Sequence, residues 1–259
     1  MSTVIKVDDP YTGEIVHEAE CLEIRDLNGV FERASEAQHE WRRVSVDERS
    51  KKVQAAGEVF RASSEAWALR ITQAMGKPLS EAQGELRAML DRLEQLCGIA
   101  KESLAPVQLP AKEGFERSID REPVGTVVVR AAWNYPLLTA VGPVVTSVLA
   151  GNAVVLKHSP RTPMVADMFA EAFAKACVPK DLVQAVTMTH ETAGHLVQHP
   201  SVGFVSFTGS VGGGRAVYRK VADKSFIPVG MELGGKDAAY VRADCDFDFT
   251  VSNVVEGAM

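Results

Sequence analysis

Residues 123–157 read PVGTVVVRAAWNYPLLTAVGPVVTSVLAGNAVVLK. The run 124–132, VGTVVVRAA, is apolar at nearly every position, the pattern of a strand covered on both faces. Residues 137–150 continue as an apolar helix closed by Gly151-Asn152, and AVVLK then reads as a second strand. Strand, helix and strand at this spacing make a βαβ unit, whose two strands run parallel. The rhythm persists downstream. Residues 162–176 put Val165, Met168, Phe169, Ala172, Phe173 and Ala176 on one helical face. LVQAVT, a short helix near 191–198, GFVSF and a helix over 215–222 extend the alternation, so the expected class is α/β with a parallel sheet.

Upstream of Pro123 the pattern is helical, with apolar residues at helical intervals over 22–41 and 46–75. Ser45 with Glu48 forms a capping-box start, and Gly76 followed by Pro78 supplies the matching stop. Ser80 with Gln83 repeats the start signal. Leu86, Leu90, Leu93, Leu96, Cys97 and Ala100 then form one apolar stripe, which reads as core. Residues 106–122 alternate about Gly114 and predict a β-hairpin too small to stand alone. It must lie on something, such as another subunit.

At 259 residues, 46% hydrophobic and 24% charged, the chain has the make-up of a globular protein, and disordered, collagenous and coiled-coil classes drop out. The length suits one large domain or two modest ones. Twenty-eight basic against 34 acidic residues, a net charge of −6, argues against a nucleic-acid partner held through phosphates. The longest apolar stretch, 137–156, is broken by Gly142, Pro143, Gly151 and Asn152 and predicts buried helix and strand rather than a membrane span. The opening MSTVIKVDDPYTGE lacks the pattern of a secretory signal, which points to the cytoplasm. Cys21, Cys97, Cys177 and Cys245 lie far apart without a C-x-x-C, so neither a disulfide framework nor a metal site is expected.

In an open parallel sheet, ligands bind at the carboxyl ends of the strands. Four segments fall there: AWNYP (132–136), KHSP (157–160), FTGS (207–210) and MELGGK (231–236). Residues 209–214 read as a strand-to-helix turn with four glycines in six residues. Its bare N–H groups and Ser210 can meet an anion, or the segment is simply a flexible turn. Neither G-x-G-x-x-G nor G-x-x-x-x-G-K-[ST] is present. Lys157 can hydrogen-bond ribose hydroxyls, although a strand-end lysine is commonly just solvated. Asn134 can polarise a carbonyl oxygen through its amide, or serve only as a turn residue. Glu232, if buried, would have a raised pKa suited to general-base work; otherwise it is an ordinary strand-end carboxylate. His190, His195 and His199 read as surface residues.

Taken in order, these segments resemble the NAD(P)-dependent aldehyde dehydrogenase superfamily. The chain shows Pro123-Val-Gly125, Trp133-Asn134-Tyr135-Pro136, Gly151-Asn152-Ala-Val-Val-Leu-Lys157, Thr162-Pro163, His199-Pro200, Phe207-Thr-Gly-Ser210 with Gly214, and Glu232-Leu-Gly-Gly-Lys236. Pro10-Tyr-Thr-Gly13-Glu14 looks like the family's early N-P-x-T-G-E. The resemblance implies a Rossmann-like sheet that binds NAD or NADP, an aldehyde substrate, and a homo-oligomer when full length. Asn134 would be the oxyanion-hole amide and Glu232 the base that activates the deacylating water. Lys157 would hold the adenosine ribose and Ser210 the pyrophosphate. Ala132, Trp133, Leu233 and Gly234 would line the groove, and Ser159, Phe207, Thr208, Gly209, Gly213 and Gly214 would also meet the cofactor. Residues 1–232 would form the NAD(P)-binding domain, with 103–122 the hairpin of an oligomerisation sheet. Residues 233–259 would begin the catalytic domain with its first strand and helix.

The sequence also departs from the family. The family's nucleophilic cysteine follows E-L-G-G-K in a G-Q-x-C segment, which does not occur here before Met259, and none of the four cysteines fits that place. The chain thus resembles an N-terminal portion, expected to be inactive alone. The alternative is a truncated, non-catalytic protein that binds dinucleotide or docks on a full-length subunit. Pro160 stands where many NAD-preferring members place a glutamate, which removes repulsion against a 2′-phosphate, and Arg161 adds positive charge nearby. His158 replaces the usual proline after the lysine.

Overall fold

The computed structural model describes residues 3–258. Five strands form its main sheet: β5 (Thr126–Arg130), β6 (Ala153–Lys157), β7 (Val183–Ala185), β8 (Val202–Thr208) and β9 (Val229–Glu232). All pair in parallel, in the order β7-β6-β5-β8-β9. The centres of the middle strands are apolar because both faces are covered, and Val127, Val128, Val129, Val154, Val155 and Leu156 are buried. Crossovers are made by α5 (Leu138–Leu149), α6 (Met164–Lys175), α7 (His190–Leu196) and α8 (Val211–Ala222). From β5 the chain builds outward through β6 to β7, then returns across the sheet to β8 and continues to β9. Right-handed crossovers therefore set α5 and α6 on one face and α7 and α8 on the other. The parallel α/β class expected from the sequence is the one observed.

The helical region contains α1 (Leu27–Trp41), α2 (Val46–Ala62), α3 (Ser64–Met75) and α4 (Leu79–Ser103). Helix α2 packs against α4, α5 and α6, which joins this region to the sheet in one core. Three long side chains reach from it to the closing turn of α5. Trp41 Nε1 donates to Val148 O (2.8 Å), Arg49 Nη1 to Leu149 O (3.0 Å) and Gln38 Nε2 to Gly151 O (3.1 Å). They satisfy carbonyls that a helix end leaves without partners.

Several sequence expectations need correction. Residues 3–22 are not helical: β1 (Val4–Asp8) and β2 (Ile15–Glu20) pair as an antiparallel hairpin, whose turn at Gly13 (φ +75°) is the Pro10–Glu14 motif. Their short alternation was masked by the stronger helical periodicity that follows. The stretch 22–41 starts with a 3-10 turn over Ile24–Asp26, and 46–75 is two helices parted at Ser63, whose backbone leaves the helical region (φ −101°, ψ 7°). Ser45 does accept a hydrogen bond from Glu48 N (3.3 Å), and Gly76 closes α3 with φ +81°. Ser80 and Gln83, however, lie within α4, which Pro78 precedes because its fixed φ is already compatible with a helix start. The 106–122 hairpin is present as β3 (Val107–Gln108) and β4 (Ser118–Ile119), all exposed. Residues 233–246 form no strand, since no neighbouring strand among the described residues offers a ladder, and α9 (Phe247–Ala258) follows.

Candidate functional site

The order β7-β6-β5-β8-β9 reverses direction between β5 and β8, and a crevice opens at such a switch point outside the carboxyl ends of the strands. Here it is a cleft of about 1330 Å³. Of the residues singled out in the sequence, Ala132, Trp133, Asn134, Lys157, Ser159, Phe207, Thr208, Gly209, Ser210, Gly213, Glu232, Leu233 and Gly234 all line it. Gly214 does not. It is buried in α8, where an added Cβ would fall 2.4 Å from the Leu233 side chain, so its part is to let Leu233 pack against the helix.

The glycine segment differs from the expected turn. Only Gly209 and Ser210 are turn residues, and Val211 onward is helix. Ser210 caps α8 by accepting from Gly213 N (3.1 Å), which uses an oxygen lone pair and leaves its hydroxyl hydrogen to donate. Gly209 and Gly213 are required by Phe207, since a Cβ at either would lie 2.8 or 2.9 Å from the ring. Glu232 is exposed, so the burial that would favour general-base chemistry is not supplied by the described residues. Asn134 is exposed on the loop after β5, beside Trp133.

Lys157 is far from a solvated strand-end residue. It is 4% exposed and donates to His158 O (3.1 Å). Burial first, and then the positive charge of Arg130, lower its pKa to about 8, while coupling to the Cys21 thiol opposes that shift. Arg130 was missed in the sequence, although a lone charge ending the run TVVVR was a readable signal. It pairs in register with Lys157, lines the same cleft, and stands over the Phe207 ring at 5.3 Å. Arg161, expected to add charge here, is instead held by Asp8 of β1, with Nη1 to Oδ1 at 2.5 Å and Nη2 to the backbone O at 2.8 Å. Of the three histidines, His190 and His195 reach the cleft, whereas His199 stacks on Phe31 at 4.0 Å.

Two buried groups hold the Asn134 loop from below. His158 Nε2 lies 3.0 Å from Pro136 O and its Nδ1 lies 2.9 Å from Thr162 Oγ1. A carbonyl only accepts, so Nε2 carries the proton and Nδ1 accepts from the threonine. Burial drives the His158 pKa down to about 4, which keeps this neutral tautomer in place at neutral pH. Glu85, on the core face of α4, accepts from Leu137 N (2.8 Å) and Leu138 N (3.1 Å) at the start of α5. Its other oxygen meets Lys77 Nζ at 2.6 Å, and that ammonium sits 4.0 Å over the Tyr135 ring. A carboxylate among the apolar positions of α4 was the sequence signal for this support.

Fold and site together define a doubly wound α/β protein with a basic crevice at its switch point. The chain belongs to the aldehyde dehydrogenase family, whose profile matches residues 1–259. It is 33% identical over 257 residues to 3,6-anhydro-alpha-L-galactose dehydrogenase of Streptomyces coelicolor, covering 98% of this chain and 52% of that protein. It is 34% identical over 254 residues to 4-trimethylaminobutyraldehyde dehydrogenase A of Danio rerio, covering 98% of this chain and 49% of that protein. Among solved structures, NADP-dependent glyceraldehyde-3-phosphate dehydrogenase from Bacillus halodurans C-125, complexed with NADP, superposes with a TM-score of 0.91 at 28% identity, over 99% of this chain and 54% of that one. The chain spans about half the length of the curated relatives it matches.

Proposed function

We propose that this chain is the dinucleotide-binding part of an aldehyde dehydrogenase, in which an aldehyde, NAD(P)⁺ and water give a carboxylate, NAD(P)H and two protons. The observation that carries the reading is the gathering of Asn134, Lys157, Ser210 and Glu232 from four separate strand ends into one cleft, in a chain of this family. The cleft fits a dinucleotide chemically: it offers the buried Lys157 ammonium and the half-buried Arg130 guanidinium beside a capped helix start. Lys157 would donate to ribose hydroxyls, and Ser210 with the first N–H groups of α8 would meet the diphosphate. When bound, the nicotinamide supplies a hydride acceptor. The Asn134 amide would hydrogen-bond the oxygen that becomes negative as a thiolate adds to the aldehyde. Glu232 would take a proton from the water that releases the acyl group.

The thiolate itself would come from outside these 259 residues. Cys21 and Cys97 are buried, and none of the four cysteines lines the cleft. Residues 1–232 would form the dinucleotide-binding domain, 233–259 the opening of the catalytic domain, and the exposed hairpin within 103–122 would join a sheet shared between subunits of a homo-oligomer. Calorimetric titration of the chain with NAD⁺ and NADP⁺ tests the reading. Saturable binding of either is expected, without reduction of the nucleotide when a simple aldehyde is added. No heat of binding at millimolar nucleotide rejects the cofactor assignment, and any NAD(P)H above a protein-free blank rejects the assignment of the nucleophile.

A further inference from the structure

Arg130 is a charge in a place that has no evident structural need for one. It closes β5, the central strand, where every preceding residue is buried and three of the four are valines. Among the described residues, no carboxylate or carbonyl takes a hydrogen bond from its guanidinium. Its face is used by the Phe207 ring, 5.3 Å away, and that ring is pinned against Gly209 and Gly213. The five N–H donors around its edge remain available. Beside it, on the next strand and in register, stands Lys157, buried, whose ammonium donates to the His158 carbonyl and meets no carboxylate among the described residues. A buried ammonium and a half-buried guanidinium side by side repel each other and ask for an anion. The acids that line the cleft, Glu191, Asp223 and Glu232, are exposed, and none is paired with either cation.

We infer that Arg130, with Lys157, binds the 2′-phosphate of a phosphorylated dinucleotide, so that the cleft selects NADP over NAD. The inference rests on the dinucleotide reading above and adds the residue that makes the choice. A phosphomonoester carries up to two charges and three acceptor oxygens, whereas each phosphorus of the diphosphate bridge carries one charge. Between the planar fork of an arginine and a lysine ammonium, the monoester is the better match. Pro160, in the loop that follows Lys157, brings no carboxylate to oppose it.

The test is calorimetric titration of the 259-residue chain and of its Arg130→Gln and Arg130→Lys variants with NADP⁺ and NAD⁺, with 2′-AMP and 5′-AMP as competitors. Circular dichroism melts would confirm that each variant is folded. The wild-type chain is expected to bind NADP⁺ more tightly than NAD⁺. Arg130→Gln should weaken NADP⁺ about tenfold or more, the range for loss of a charged hydrogen bond, with little change for NAD⁺. Arg130→Lys should recover part of the loss, and 2′-AMP should compete better than 5′-AMP. Arg161→Gln, whose charge is spent on Asp8, should change neither affinity. Equal losses for both dinucleotides would mean that Arg130 reads the diphosphate common to them, and would overturn the inference. So would an unchanged NADP⁺ affinity in Arg130→Gln. Tight NAD⁺ binding with no preference for NADP⁺ overturns this inference alone, whereas a wild-type chain that binds neither overturns the dinucleotide reading as well.

Discussion

Single side chains under the cleft carry more of its geometry than their sequence context announces. Glu85 joins the first N–H groups of α5 to Lys77, and the pair is almost wholly buried. Glu85→Ala leaves a buried ammonium and two unpaired N–H groups, so the urea midpoint should fall by the equivalent of about 3–5 kcal/mol. His158 gives a pH signature. The unfolded imidazole titrates near 6.5 and the folded one near 4, so between those values the unfolded state holds the extra proton. Stability should therefore fall as pH drops from 6.5 toward 4, and His158→Gln should flatten that slope in urea melts taken at each pH. Lys157 works in the alkaline range. Its ammonium neutralises near pH 8, well below its unfolded value of 10.5, so stability should rise with pH across that interval. Phosphate-dependent affinity should decline as pH passes through about 8 and that charge is lost, which titrations at pH 7 and 9 would read.

At the level of elements, the central pairing of β5 with β8 depends on a bulge. Thr126 pairs with Val202 and Val127 with Phe204, so Gly203 is the extra residue between them. A Cβ there would sit 2.1 Å from Val124 O, a contact with backbone that has little room to yield. Gly203→Ala should cost about 1–3 kcal/mol, the usual price of overpacking, visible as a lowered melting temperature. This bulge also shows where sequence reading stopped. The parallel strands were legible because double coverage forces continuous apolar runs, and the helix ends at Ser45 and Gly76 because caps need particular side chains and a positive φ. The β1–β2 hairpin was not legible, since half-exposed strands of five and six residues carry little periodicity beside long helices. Likewise, Asn134, Lys157 and Ser210 could be placed at strand ends from the motifs, whereas the pairing of Arg130 with Lys157 needed the register.

For the molecule as a whole, ordered packing is unevenly distributed. The sheet and its helices share one buried core, while residues 233–246 contain neither strand nor helix and are exposed. Limited proteolysis should cut first in that segment, with mass spectrometry finding a resistant product that ends near residue 233; early cleavage inside β5–β8 would contradict the packing described. The three tryptophans divide in the same way. Trp41 and Trp67 are 2% and 5% exposed, and Trp133 is 51% exposed on the cleft loop next to Asn134. Trp133 is therefore a built-in optical probe of the cleft. Iodide should quench its red-shifted emission while the two interior indoles stay bright and blue. Because the neighbouring wall carries Arg130 and Lys157, anionic iodide should quench it more efficiently than neutral acrylamide does, and a ligand seated there should shield it from both without any dye being attached.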